Sequence, residues 1–425
     1  MNSLIQDRRY AVRALLERAS FVLAALLAAS GCSQTAPVDP TTLTTQQWRD
    51  DLHYMAKQLA RRHANVFHRI SRVQYDQLVA ALDSELTAVR GWDAAVRLAS
   101  LAAAVGDAHT YLSLPGDQHF YPFGTYVFGD DVRVTRTTPA QRAILGTRLV
   151  KIGRLDMAAV EARLNGILTQ GENPWFYRLH YPWFLSREVL HALGVAGDST
   201  ETAFTFARDG GDSVTVRMAA LAGDAADWVR PYAEAPLYLR HQDDDFWVTT
   251  LPDSSSVYVA FNRYRGLKEN AARLFDLLDR HPDRRLVLDL RGNGGGDYHV
   301  GHQYLIAPIL RRPALNRRDR LFVITGRATF SAAMNNAAQF RTETNATLVG
   351  EPPGEIPNGY QERRSFRLPH SHLVVNYSAR HYEFLPGDPP ALLPDRGIDP
   401  DWSAYAAGRD PVLEWIAAQP PTRGP

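Results

Sequence analysis

Apolar positions change their spacing three times along this chain. Trp48, Leu52, Met55 and Leu59 recur at intervals of four, three and four, the spacing that lines one face of a helix. Tyr75, Leu78, Leu82 and Leu86 predict a second helix, with Ser71 as its N-cap, and Trp92 to Val105 a third. This helical region ends near Gly106-Asp-Ala-His-Thr110. Tyr126–Phe128, Val132–Thr135 and Leu149–Ile152 then read as strands, Asp156 to Leu168 as a helix, and about 200–218 and 246–250 as further strands.

From Val257 strands and helices alternate. Val257–Phe261, Leu286–Leu290, Leu321–Thr325 and Thr347–Gly350 are short apolar runs. Between them lie helical patterns over Lys268–Arg280, Tyr298–Leu310 and Ser331–Phe340. Such alternation predicts βαβ units and a largely parallel sheet, an α/β class. Sites in such sheets form in the loops beyond the strands' C-terminal ends. No internal repeat or low-complexity segment interrupts the pattern.

Composition narrows the picture only a little. The 425 residues are 45% hydrophobic and 22% charged, ordinary globular usage. The formal net charge of +1 gives no sign of a nucleic-acid partner. The basic residues are nearly all arginine; the lysines are Lys57, Lys151 and Lys268. One cysteine, Cys32, excludes an intrachain disulfide or a cysteine metal cage.

Residues 1–31 carry the marks of an export signal. Arg8, Arg9, Arg13 and Arg18 precede the apolar run Phe21–Ala29, then Ser30-Gly31-Cys32. The run is short of the ~20 residues a spanning helix needs. Ala29-Ser30-Gly31-Cys32 resembles a bacterial lipobox, in which the cysteine is lipidated, although alanine stands where leucine is usual. The expectation is export to a bacterial cell envelope with a lipid anchor at Cys32, facing the periplasm. Residues 32–43, rich in Thr, Pro and Ser, read as a tether.

Two loops of the alternating region suggest chemistry. In Asp289-Leu-Arg-Gly-Asn-Gly-Gly-Gly296, glycines between a strand and a helix allow bare N–H groups to face an oxyanion or a phosphate. The run is not GxGxxG and lacks the lysine ending of a phosphate loop, so nucleotide binding gains little from it. In Thr325-Gly-Arg-Ala-Thr-Phe-Ser331-Ala-Ala333 a serine opens a helix just after a strand. There Ser331 is either a plain N-cap or a nucleophile whose oxyanion faces the helix N-terminus.

The ordered set Asp289–Gly296, Thr329-Phe-Ser-Ala-Ala333 and Val349-Gly-Glu351 resembles the tail-specific, or C-terminal processing, serine peptidase family. Gly106–Thr110 is similar to the histidine motif of its tricorn-like branch. Pro357–Tyr360, Phe366–Pro369, Leu393–Asp395 and Gly408–Leu413 extend the likeness over most of residues 45–415. The resemblance implies a helical N-terminal domain over 44–118, a reduced PDZ-like module over 119–195 and a crotonase-like core over 196–425.

The base is constrained by composition. Many members of the family pair serine with a lysine some two dozen residues later, here near Glu355 and Ile356, and no lysine follows Lys268. Arginine does not deprotonate and cannot take its place. The tricorn-like resemblance implies His109 as the base instead, histidine titrating nearest neutrality. For the acid of a triad, the tricorn-like pattern counts back from Pro394-Asp395 to Asp388, with Glu351 and Asp107 as alternatives. His370, His372 and His381 read as strand or loop residues without zinc spacing.

The expected function is an exported serine peptidase. Ser331 forms an acyl-enzyme, and the N–H groups of Gly294, Gly295 and Ala332 hold the oxyanion. Its partner is a peptide or protein substrate, with no metal and no organic cofactor implied. The alternative is a non-catalytic protein binding a peptide or apolar ligand on the same fold.

Overall fold

The computed structural model describes residues 38–419 apart from 170, 198–199, 224–226 and 253–254. The expected signal segment and Cys32 lie outside the described residues, as does the tether up to residue 37. Among the described residues no helix is long and apolar enough to cross a membrane.

The fold is mixed α/β. Three helices, Thr45–Arg62, Arg72–Glu85 and Gly91–Ala103, open it. Thr44 and Ser71 each close a capping box, with Gln47 and Gln74, so the first two helices start where their side chains satisfy free N–H groups. Trp48, Leu52, Met55 and Leu59 are fully buried, as the periodicity requires.

An antiparallel sheet follows, built from Phe123–Phe128, Asp131–Thr137, Arg148–Ile152, Glu201–Ala207 and Ser213–Ala219. Glu201–Ala207 pairs with Arg148–Ile152, so the sheet runs through the boundary expected at residue 195. The helix Arg187–Ala192 separates these two strands in sequence, and only the pairing reunites them.

The second half forms a six-stranded sheet. Phe246–Thr250 pairs antiparallel with Ser256–Phe261. Arg285–Asp289, Leu321–Thr325, Thr347–Gly350 and Arg396–Gly397 then add in parallel. Four of these strands are buried along their whole length, because both faces are covered. Leu286, Leu288 and Val323 face the helices Leu267–Arg280 and Ala332–Glu343. Val287, Phe322 and Ile324 face Val412 and Ile416 of the helix Pro411–Ala417.

One element leaves this sheet. The hairpin Asn358–Arg367 and Val374–Glu383 pairs with Tyr111–Ser113, the strand that follows the opening helices. Val375 and Phe366 thereby join the core of the helical region. This crossing brings two distant parts of the chain to one place. His381 lies in a strand and His372 in the turn before it, as read from sequence.

Candidate active site

Three loops leave the same end of the parallel strands: residues 290–297, 326–331 and 351–357. Each is fixed by buried polar groups. Asp289 and Asp410 clasp the Arg291 guanidinium at 2.6 and 2.7 Å, and Tyr258 donates to Asp289 at 2.7 Å. Removing one partner of such a buried cluster costs about 3–5 kcal/mol. Asn293, fully buried, donates to the Phe261 carbonyl at 3.0 Å, and its own carbonyl accepts the Phe330 N–H at 3.0 Å. The glycine loop is therefore bonded to the residue before Ser331. Thr329 donates to the Leu290 carbonyl and accepts the Gly326 N–H, which shapes the second loop.

Ser331 sits at φ 54°, ψ −125° and caps nothing with its side chain. A non-glycine residue there is strained by about 1–3 kcal/mol. An N-cap role would need extended backbone and a side chain turned to the helix, and neither is present. The turn instead exposes the hydroxyl to His109, whose Nε2 lies 3.1 Å from Oγ, across 222 residues of chain.

His109 reaches Ser331 from the helical region. The residue is 4% exposed, and its ring stacks on Phe330 with centroids 4.8 Å apart. Burial lowers its pKa to about 4; Asp107 opposes this and Arg363 adds to it. Asp107 accepts the His109 N–H at 3.2 Å, the His63 Nε2–H at 2.8 Å and the Ser378 hydroxyl. Burial alone would raise the Asp107 carboxyl, but these donors, His63 first, hold it below the usual range.

The acid read from sequence is corrected by this geometry. Asp388 lies exposed in the segment after the strand Val374–Glu383, and no interaction joins it to His109 among the described residues. Glu351 is buried against Arg327 at 2.8 Å and Tyr126 at 3.4 Å, clamping the antiparallel sheet to the serine loop. Asp107 holds the backbone of His109 and not its ring. The group facing the ring is Glu355. Its Oε1 is 3.3 Å from His109 Nδ1, within ion-pair reach but not aligned as a hydrogen bond. Its Oε2 accepts the Ser331 N–H. Burial drives the Glu355 carboxyl well above the usual carboxylate range, and Glu172 pushes it further. Glu355 stands at the count from Ser331 where the resemblance expects lysine, and a carboxylate at that count is the available signal.

The expected oxyanion donors divide. Gly295 N–H is engaged by the Asn293 side chain at 3.0 Å. The Ala332 and Gly294 N–H groups have no acceptor among the described residues. Gly295 contributes space instead. At φ 111°, a Cβ there would lie 2.8 Å from Ser331 Cβ and 3.3 Å from Ala332 N. A side chain would fill the volume beside the free Ala332 N–H.

A cluster of possible metal ligands, His63, His68 and Asp107, adjoins this site, with donor atoms within 4.8 Å of one another. Yet His63 Nδ1 accepts the Asn65 N–H at 2.9 Å, which places its proton on Nε2, toward Asp107. His63 thus helps fix Asp107, while His68 bonds through Nδ1 to the Asn65 carbonyl at 2.9 Å and stacks on His63.

No family model matches this chain, and no curated protein does. Among solved structures, mature CPAF matches 88% of this chain and 96% of its own at 12% identity, with a TM-score of 0.60. CPAF complexed with lactacystin matches 88% of this chain and 97% of its own at 11% identity, with a TM-score of 0.60. The photosystem II D1 C-terminal processing protease matches 87% of this chain and 98% of its own at 15% identity, with a TM-score of 0.40. The chain shares its fold with mature CPAF.

Proposed function

We propose that this protein is a serine peptidase of the tail-specific type, acting through Ser331, His109 and Glu355. One observation carries the reading: a strained serine, freed from capping, holds its Oγ 3.1 Å from a buried imidazole. The fold shared with mature CPAF and the ordered motifs support it. His109 Nε2 takes the Ser331 proton as Oγ attacks the peptide carbonyl. The imidazolium that forms is stabilised by ionised Glu355 at Nδ1. The tetrahedral oxyanion faces the N–H groups of Ala332 and Gly294. His109 returns the proton to the leaving amine, and water then releases the acyl group by the same route. In this reading the parallel sheet and its helices form the crotonase-like core, and the antiparallel sheet is the PDZ-like module. An active-site serine probe tests it: labelling at Ser331 in the wild type supports the peptidase, and no labelling leaves the non-catalytic alternative.

Export and anchoring at Cys32 belong to the same proposal, on the strength of the basic flank, the short apolar run and the cysteine that follows. Cys32→Ser is expected to move the protein from membrane to soluble fractions with its fold unchanged, since stable anchoring needs several lipid chains. Unchanged fractionation, with no lipid mass on the wild type, defeats the anchor.

A further inference from the structure

Glu172 belongs to none of the three loops that form the site. It lies between the helices Met157–Leu164 and Pro174–His180, in a segment attached to the antiparallel sheet. Its Oε1 accepts the Ala108 N–H at 3.1 Å, and its Oε2 accepts the Ile356 N–H at 3.0 Å. Ala108 directly precedes His109, and Ile356 directly follows Glu355. We propose that Glu172 is a positioning residue that ties the loop bearing His109 to the loop bearing Glu355, and so sets the alignment of base and acid.

Flanking contacts point the same way. Thr169 donates to the Asp107 carbonyl at 2.9 Å, and Asn173 donates to the Pro353 carbonyl at 3.0 Å. Tyr177 closes the segment on itself by donating to the Thr169 carbonyl at 2.8 Å. Thr169, Glu172 and Asn173 thus form a strap that reaches both loops, with Glu172 as the member that bonds to both. A carboxylate suits this place because each of its oxygens accepts independently. Glutamine has one acceptor oxygen and would turn an NH₂ donor toward the other N–H. The strap also explains how the His109 loop, from the helical region, keeps register with a loop of the parallel sheet.

The charged groups facing Glu172 are Glu355, Asp107 and Arg69. Burial pushes the Glu172 carboxyl up to about 7, and the Asp107 charge adds to this against the two N–H donors and Arg69. Its negative charge in turn makes Glu355 harder to ionise. A tie of this kind acts on kcat, because small misplacements of reacting groups cost about 10²-fold in rate without weakening substrate binding.

The inference rests on the peptidase reading, and the test separates the two. Glu172→Ala and the isosteric Glu172→Gln are made in the full chain and followed with a peptide substrate and by amide hydrogen exchange. In Glu172→Ala, kcat is expected to fall about 100-fold with KM within about three-fold of wild type. Exchange at Ala108 and Ile356 is expected to quicken at least about ten-fold while the strands Arg285–Asp289 and Leu321–Thr325 keep their protection. Glu172→Gln should lose one of the two protected amides, and its acidic limb of kcat/KM should shift to lower pH as the charge beside Glu355 goes. If Glu172→Ala lowers protection throughout the core, Glu172→Gln carries the test. Unchanged exchange at both amides overturns the tie, whatever the activity. So does a kcat within two-fold of wild type in both variants of an active enzyme. A wild type with no peptidase activity, whose two amides still depend on Glu172, overturns the peptidase and upholds the tie.

Discussion

Ser331→Ala is expected to abolish peptidase activity, by about 10⁶-fold in kcat where nucleophile and base act as one unit. It should also end labelling by a serine-reactive probe. The fold should survive, with stability within about 1 kcal/mol of wild type. The hydroxyl caps no helix, and alanine meets the same positive φ that serine already tolerates. His109→Ala is expected to lose a comparable factor, because the proton of Oγ then has no acceptor. The double variant should be hardly slower than either single one, since each alone already removes the shared proton transfer. Kinetics of the three variants, with thermal melts as the control for folding, decide the matter. Multiplying losses would show that the two residues act separately. Probe labelling that persists in Ser331→Ala would place the nucleophile elsewhere.

Ser331 and His109, whose side chains meet at 3.1 Å, stand out in the sequence for different reasons. The alternation of buried strands and helices put Ser331 at the end of a parallel strand, where such sheets hold their sites. The absence of lysine after Lys268 excludes a serine–lysine pair in the usual order, and the resemblance of Gly106–Thr110 to the tricorn-like motif implies His109. What brings them together was not legible. His109 is held by Asp107, and Asp107 by His63 and Ser378, from a helix end and a C-terminal hairpin far apart in sequence. Periodicity reports which face of an element is buried, not which distant strand pairs with Tyr111–Ser113. The same limit applies to the carboxylate beside His109. Counting from the C-terminal motif reached Asp388, in an exposed segment, while the carboxylate that meets the imidazole sits 24 residues after Ser331. Pairing of Glu201–Ala207 with Arg148–Ile152 likewise leaves no local signature, so sequence alone does not show the antiparallel sheet continuing past residue 195.

Glu355→Gln is expected to slow kcat by about 10³–10⁴-fold, the scale seen when the carboxylate of a triad loses its charge. Its pH behaviour tests the assignment as the acid. In the proposed mechanism the reactive form has His109 neutral and Glu355 ionised, so both must have lost their protons. Burial lowers His109 to about 4 and raises Glu355 well above the usual carboxylate range. The last proton to leave the pair therefore sets the acidic limb, and kcat/KM rises with pH above the range of an ordinary carboxylate. In Glu355→Gln the limb should fall toward about 4, where His109 titrates alone. Stability should move the other way. A carboxyl whose pKa is raised on folding binds more protons folded than unfolded, so stability falls as pH rises from the unfolded pKa to the folded one. Glu355→Gln removes that penalty, because its amide oxygen can still accept the Ser331 N–H. Its melting temperature is expected to exceed that of wild type at pH 8, with the gap closing toward pH 4. A variant that keeps kcat within ten-fold, or an acidic limb that does not move, would show that Glu355 is not the group that stabilises the imidazolium.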